Sequence, residues 1–131
     1  MEKRIYPAIF HKEEVGYSVT FPDLPGCITE GDTLEEAFTM AQNALGIYLY
    51  SLKEDKVDLP KYVAPEVLIL DKDSFITLVE WDELEYLKRT SNKSVKKTLT
   101  IPEWLNTKAE EENINFSQTL QKALLEQLEE A

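Results

Sequence analysis

At 131 residues with a formal net charge of −11 at pH 7, the chain has room for one ordinary domain, or for a small domain plus a segment whose core a second copy completes. A hydrophobic share of 43% with 10% aromatic residues suffices for a packed core, and four glycines exclude a fibrous or flexible repeat. The acidic balance argues for a basic partner and against indiscriminate nucleic-acid binding, since like charge repels a phosphate backbone.

That average hides a local reversal. Lys88, Arg89, Lys93, Lys96 and Lys97 stand together with no acid between Lys88 and Thr100, and removing these five charges from −11 leaves −16 on the remainder. A basic island in an acidic chain is either a solvated linker or a contact for phosphate. The single Cys27 excludes an intramolecular disulfide, and Met1 to Phe10 lacks the apolar core of a signal peptide, so a reducing cytoplasm is the expected setting. No apolar run approaches the roughly 20 residues that span a bilayer.

In chain order, Arg4–Phe10 and Val15–Phe21 are rich in β-branched and aromatic residues around a short polar stretch, His11–Glu14, and read as a β-hairpin. Pro7 lacks a backbone donor, which predicts an edge position or a bulge for the first strand. Tyr17, Val19 and Phe21 alternate with Gly16, Ser18 and Thr20, giving the second strand one buried face. A rigid loop, Pro22 to Cys27, precedes a short third strand at Ile28–Glu30. Thr33 with Glu36 forms a capping box, and Leu34, Ala37, Phe38, Ala41, Leu45, Tyr48, Leu49 and Leu52 recur at helical spacing, predicting a helix over Leu34–Lys53. Glu54–Pro65 is charged and holds two prolines, which suits a loop; Val67–Leu70 and Phe75–Val79 are further strand candidates. Trp81, Leu84 and Leu87 predict a short helix over Glu80–Asn92.

The domain boundary falls near Thr90, giving an α+β domain of one sheet and one helix over 1–89 and a second unit over 90–131. In the second unit Val95–Ile101 reads as one strand, Pro102 suits the first position of a helix running to about Glu112, and Asn113 suits the left-handed residue that ends it. Asn115 with Gln118 marks the start of a last helix, whose stripe is Phe116, Leu120, Ala123, Leu124 and Leu128. One strand and two helices in so short a segment cannot bury their own apolar surface, so this unit calls for a second copy. Antiparallel pairing of two such strands would turn Val95, Leu99 and Ile101 inward with Leu120 and Leu124, and project Lys96, Thr98 and Thr100 from a two-stranded ribbon. Such a ribbon fits the DNA major groove, with Lys93, Lys97 and the region of Asn115 and Ser117 placed for phosphates. The plainer reading is an exposed edge strand guarded by lysine.

Other chemistry is thinly supported. Asp23, Glu30 and Asp32 could be a two-metal carboxylate site, but they crowd one loop and helix cap rather than converge from several strands. His11 has no second histidine or cysteine near it in sequence and reads as a solvated turn residue. Cys27 lacks an activating base, and Pro25-Gly26 fits a turn better than a phosphate loop. Trp81 and Trp104 are core or interface anchors. No catalytic residue, metal site or cofactor is expected.

The stretch GYSVTFPDLPGCITEGDTLEEAFTMAQNAL, Gly16 to Leu45, and the stretch SVKKTLTIPEWLNTKAEEENINFSQTLQKALLEQL, Ser94 to Leu128, resemble the HicB antitoxins of toxin–antitoxin pairs. The resemblance implies an N-terminal domain similar to a reduced ribonuclease-H-like fold without nuclease activity, which binds HicA, a small ribonuclease toxin with a catalytic histidine. It also implies a C-terminal ribbon-helix-helix that represses the toxin–antitoxin operon; other members carry a helix-turn-helix there, and the match at Lys96, Thr98 and Thr100 selects the ribbon form. A homodimer, or a dimer of dimers, is then expected. Asp23, Glu30, Asp32, Glu35 and Glu36 are the expected toxin-facing carboxylates, although acids near a helix N-terminus also serve its dipole. The rival readings are a dimeric protein-binding module without a DNA role, and a ribonuclease-H-type hydrolase.

Overall fold

A computed structural model describes residues 2–130 and is α+β, with four strands and four α-helices in two compact units, Glu2–Thr90 and a second that begins at Ser91. The first unit contains β1 (Lys3–Lys12), β2 (Tyr17–Thr20), β3 (Ile28–Gly31), α1 (Leu34–Glu54), β4 (Ser74–Asp82) and α2 (Glu83–Thr90). The strands form one antiparallel sheet in the order β3-β2-β1-β4. Tyr6, Ala8 and Phe10 of β1, Val19 of β2, and Val79 and Trp81 of β4 all turn to one face, where they meet Ala37, Ala41, Leu45 and Leu49 of α1. The period of two in the strands and of three to four in α1 is what brings these residues together.

Pro7 sits in an interior strand, not the expected edge. β2 pairs only with Ile9–Lys12, whereas β4 pairs with the whole of Lys3–His11. Beside Pro7 the β2 flank of β1 is therefore open, and a residue with no N–H costs no ladder bond there. The β1–β2 turn also lies further on than expected: it is Glu13–Gly16, closed by the Glu13 amide donating to the Gly16 carbonyl at 3.0 Å with Gly16 at φ 74°. His11 is consequently a strand residue opposite Ser18 and Ser74 rather than a turn residue.

Val67–Leu70 forms no strand; Pro65–Val67 is one 3-10 turn and the chain runs on unpaired to β4. The β-branched composition of that segment does not suffice to make a strand: the outer flank of β4 is open, yet the segment pairs with no strand. Similarly, β4 extends through Trp81 to Asp82, and α2 starts only at Glu83, with the Glu85 amide donating to Asp82 Oδ1 at 3.3 Å. Trp81 is thus a buried strand residue, and its spacing of three from Leu84 is a junction between two elements rather than a helical repeat.

Thr33 caps α1 by accepting from the Glu36 amide at 3.1 Å. Its other end closes with the Val57 amide donating to the Leu52 carbonyl and the Lys56 amide to the Lys53 carbonyl, around Lys56 in the left-handed region at φ 56°. Lys53, from the last turn of α1, pairs with Glu2 at 3.1 Å and with Glu83, tying the helix end to the start of β1 and of α2.

The second unit holds α3 (Glu103–Glu111) and α4 (Phe116–Glu130). Pro102 is the N-cap of α3, one position before the expected first helical residue. Asn113, at φ 56°, ends α3: its own amide donates to the Glu110 carbonyl and that of Ile114 to the Ala109 carbonyl. Asn115 caps α4, its Oδ1 accepting from the Gln118 amide at 3.0 Å. Among the described residues no helix is long and apolar enough to cross a membrane.

A lysine held left-handed pays a Cβ penalty that glycine lacks. Lys56→Gly should therefore raise the unfolding free energy by about 1 kcal/mol in a denaturant titration, with no change in the slope against denaturant.

Candidate functional site

The five expected toxin-facing carboxylates do not form one cluster. Asp23 lies in the β2–β3 connection, at the sheet end where Thr20 faces Ile28, whereas Glu30 and Asp32 lie at the opposite end, where Tyr17 faces Gly31. Glu35 and Glu36 occupy the first turn of α1, as the helix dipole favours. Asp23 does structural work: its Oδ1 accepts from the Val63 amide at 2.9 Å, stapling the long connection between α1 and β4. Its Oδ2 is buried with no hydrogen-bond partner among the described residues.

The Asp23 loop is itself tightly built. Leu24-Pro25-Gly26-Cys27 is a type II turn, with Gly26 at φ 83° and the Cys27 amide donating to the Leu24 carbonyl at 3.0 Å. Leu24 and Cys27 are buried in the core, and Tyr48 of α1 donates its hydroxyl to the Pro25 carbonyl at 3.1 Å. Burial pushes the Cys27 thiol up to about 11, so at neutral pH it carries no thiolate and behaves as a small apolar residue. Gly31, at the far end of β3, backs onto the first turn of α1: a Cβ there would run into the Ala37 backbone. That requirement follows from the close approach of strand to helix and leaves no mark in the local sequence pattern.

One arrangement escaped the sequence reading. His11 Nδ1 lies 2.8 Å from Ser74 Oγ and 3.4 Å from Asp71 Oδ2, and Ser74 Oγ donates to Asp71 Oδ1 at 2.9 Å. Serine and aspartate both address the same ring nitrogen, and the serine proton points to the aspartate, so this is not the relay of a hydrolase, which needs the two on opposite nitrogens. The Ser74 hydroxyl, helped by the Asp73 amide at 3.0 Å, holds the Asp71 carboxyl below the usual range. The trio locks the entry to β4. No group of three or more metal-ligating side chains exists among the described residues.

In the second unit, Lys93, Val95, Lys96, Lys97, Thr98, Leu99, Thr100 and Ile101 all lie exposed in a stretch without secondary structure before α3. A strand exists only through its ladder, and a single copy offers this stretch no partner. Val95 is 88% exposed, and Leu99 and Ile101 are exposed too, a row of apolar side chains at alternate or near-alternate positions left in water. Leu120 is half-buried and Leu124 exposed on α4. Asn115 is occupied as the α4 cap, and Ser117 Oγ accepts from Gln121 at 3.0 Å. Lys93, Lys96 and Lys97 make no ion pair among the described residues.

A small antiparallel α+β unit is followed by a short basic segment and two helices in an acidic chain of two compact units. Residues 6–128 match the model of the HicB-like antitoxins of bacterial toxin–antitoxin systems, and the chain belongs to that family. It is 36% identical over 101 residues to an uncharacterised 14.9 kDa protein of Haemophilus phage HP1, covering 75% of this chain and 73% of that one. It is 38% identical over 79 residues to antitoxin HicB 2 of Photorhabdus laumondii, a match that spans 50% of this chain and 57% of that one. Among solved structures it is similar to a chain of a toxin–antitoxin complex from Streptococcus pneumoniae, at 34% identity and TM-score 0.61, with 96% of this chain and 99% of that chain covered. The Burkholderia pseudomallei antitoxin HicB matches at 25% identity and TM-score 0.55, over 95% and 98% of the two chains.

Asp23→Ala removes the acceptor for the Val63 amide, which is exposed enough to hydrate, so the cost should be about 1 kcal/mol. Hydrogen exchange should show the Val63 amide losing protection, while amides of β1 and β4 exchange as before.

Proposed function

We propose that this antitoxin holds a HicA-type ribonuclease toxin on its N-terminal unit and represses its own operon as a dimer through its C-terminal unit. The N-terminal unit is read as a reduced ribonuclease-H-like fold and the C-terminal one as a ribbon-helix-helix. The observation that carries the DNA half is the exposed row Val95, Leu99 and Ile101 interleaved with Lys96, Thr98 and Thr100. Antiparallel pairing with a second copy gives that row its missing ladder and hides its apolar side chains. The lysine and threonines then share the opposite face, with the side-chain types that reach base edges in the major groove. Lys93, before the strand, and Lys97, within it, supply phosphate contacts, and the α4 N-terminus, capped by Asn115 and carrying Ser117, supplies amides. Val95, Leu99, Ile101, Leu120 and Leu124 form the shared core of the dimer.

Charge supports the toxin half. Residues 2–90 carry 18 acids against nine bases, and an RNA-cleaving partner presents a basic surface. The similar Streptococcus pneumoniae chain comes from a toxin–antitoxin complex, and this supports a toxin partner here.

The Lys96→Ala, Thr98→Ala, Thr100→Ala triple variant should keep its dimer and its protection of RNA from the toxin, and lose about 100-fold or more in operator affinity in a mobility-shift titration. Unchanged operator affinity would leave the C-terminal unit as a dimerisation device alone.

A further inference from the structure

Both helices of the first unit lie on one face of the sheet, with Tyr86 of α2 beside Trp81 and Gly46. On the other face the alternate residues of β1 and β4 are Ile5, Pro7 and Ile9 opposite Glu80, Leu78 and Ile76, and β2 and β3 add Thr20 opposite Ile28. No helix of this unit lies over them, but the face is open only in part: Pro7 is fully buried and Ile9 and Ile76 are half-buried, whereas Ile28 is 65% and Leu78 49% exposed, and Ile5 is exposed as well. The outer flank of β4 is also open for all nine of its residues. A long apolar edge strand continuous with an apolar sheet face is what a protein normally blunts unless something docks there.

The charges around this face indicate what docks. Its carboxylates are Glu30 beside Ser18 at one end and Glu80 and Asp82 at the other, while Lys3 is taken by Asp82 at 3.7 Å. Glu30 and Glu80 make no ion pair among the described residues. At the β4 edge, towards α1, a cleft of about 220 Å³ is lined by Glu80, Asp82 and Glu85 together with Arg89, Gln42 and the ring of Tyr86, three carboxylates to one cation. Two copies meeting through this face would bring unpaired carboxylates together, which costs association energy; a partner with an apolar centre and a lysine- or arginine-rich rim would pair them.

We infer that the helix-free face of the sheet, together with the open edge of β4, is the surface that takes the basic ribonuclease toxin. This rests on the toxin-binding reading above and replaces the helix-start carboxylates Asp32, Glu35 and Glu36 as its centre. Binding there buries Leu78, Ile28 and Ile76 at the centre and leaves Glu30 and Glu80 as a charged rim, the usual anatomy of a protein interface.

The test uses the full chain and the purified toxin, with Leu78→Lys and Ile28→Lys on this face and Ile47→Lys, an exposed position of α1, on the other. Calorimetric titration should give each of the two sheet-face variants a Kd raised about 30-fold or more, with far-UV circular dichroism and melting unchanged, and leave Ile47→Lys within about twofold of the parent. Glu30→Gln with Glu80→Gln should lower the association rate and flatten its salt dependence. If the parent binds toxin, but Ile47→Lys weakens it and the sheet-face variants do not, the surface is wrong and the antitoxin reading stands. If the sheet-face variants keep their toxin affinity and instead lower the mass seen by light scattering, the face belongs to a second copy and the inference is overturned. A parent chain that binds no toxin would overturn both readings.

Discussion

Helix α1 reaches the sheet mainly through small side chains. Ala37 and Ala41 sit against β-strand residues with no exposure, Gly31 gives way beneath the first turn, and Gly46 leaves room for the Tyr86 ring, so that Leu45 and Leu49 can fill the space between Tyr6, Phe10 and Val79. Close approach of this kind buries both layers at high packing density, and adding even one methyl group along the seam forces a shift. The rest of the first unit is arranged around that seam: the Asp23 staple, the Lys53 ion pairs and the left-handed Lys56 all serve to return the chain from the end of α1 to β4.

One helix covers one face of a sheet. The apolar face left over in the first unit, and the unpaired apolar row of the second, are consequences of the chain's length rather than accidents of sequence. On the function proposed above, each is covered by a partner. The two surfaces differ in charge: the sheet face is rimmed by Glu30 and Glu80, while the C-terminal row is interleaved with Lys96 and Lys97 and preceded by Lys93. The overall charge of −11 describes neither surface.

Much of the fold could be read from residues whose effect is local. Capping pairs, Thr33 with Glu36 and Asn115 with Gln118, act within one helical turn, and Asn113 carries its own tolerance of the left-handed region; all three stand where the pattern put them. Features that depend on distant partners are not legible in this way. Pro7 by itself points to an edge or a bulge, because the asymmetric lengths of β2 and β4 are invisible at position 7, and Val67–Leu70 has the composition of a strand, which does not report whether the segment pairs. Trp81 and Leu84 straddle a strand–helix junction that imitates helical spacing. At the site, Asp23 accepts from an amide 40 residues away, and the His11–Ser74–Asp71 trio joins segments that no local motif connects. Lys56 carries no sequence signal for its left-handed role, since glycine or asparagine is what one looks for there.

The central claim is that an acidic chain reads DNA through a basic segment that only a dimer completes. Fluorescence anisotropy of the full chain titrated against its own upstream DNA and against a scrambled duplex, at about 50 and 200 mM salt, tests it most directly. The account predicts tight binding to the upstream duplex that weakens steeply with salt, and much weaker binding to the scrambled one. Equal, weak binding to both duplexes would contradict it.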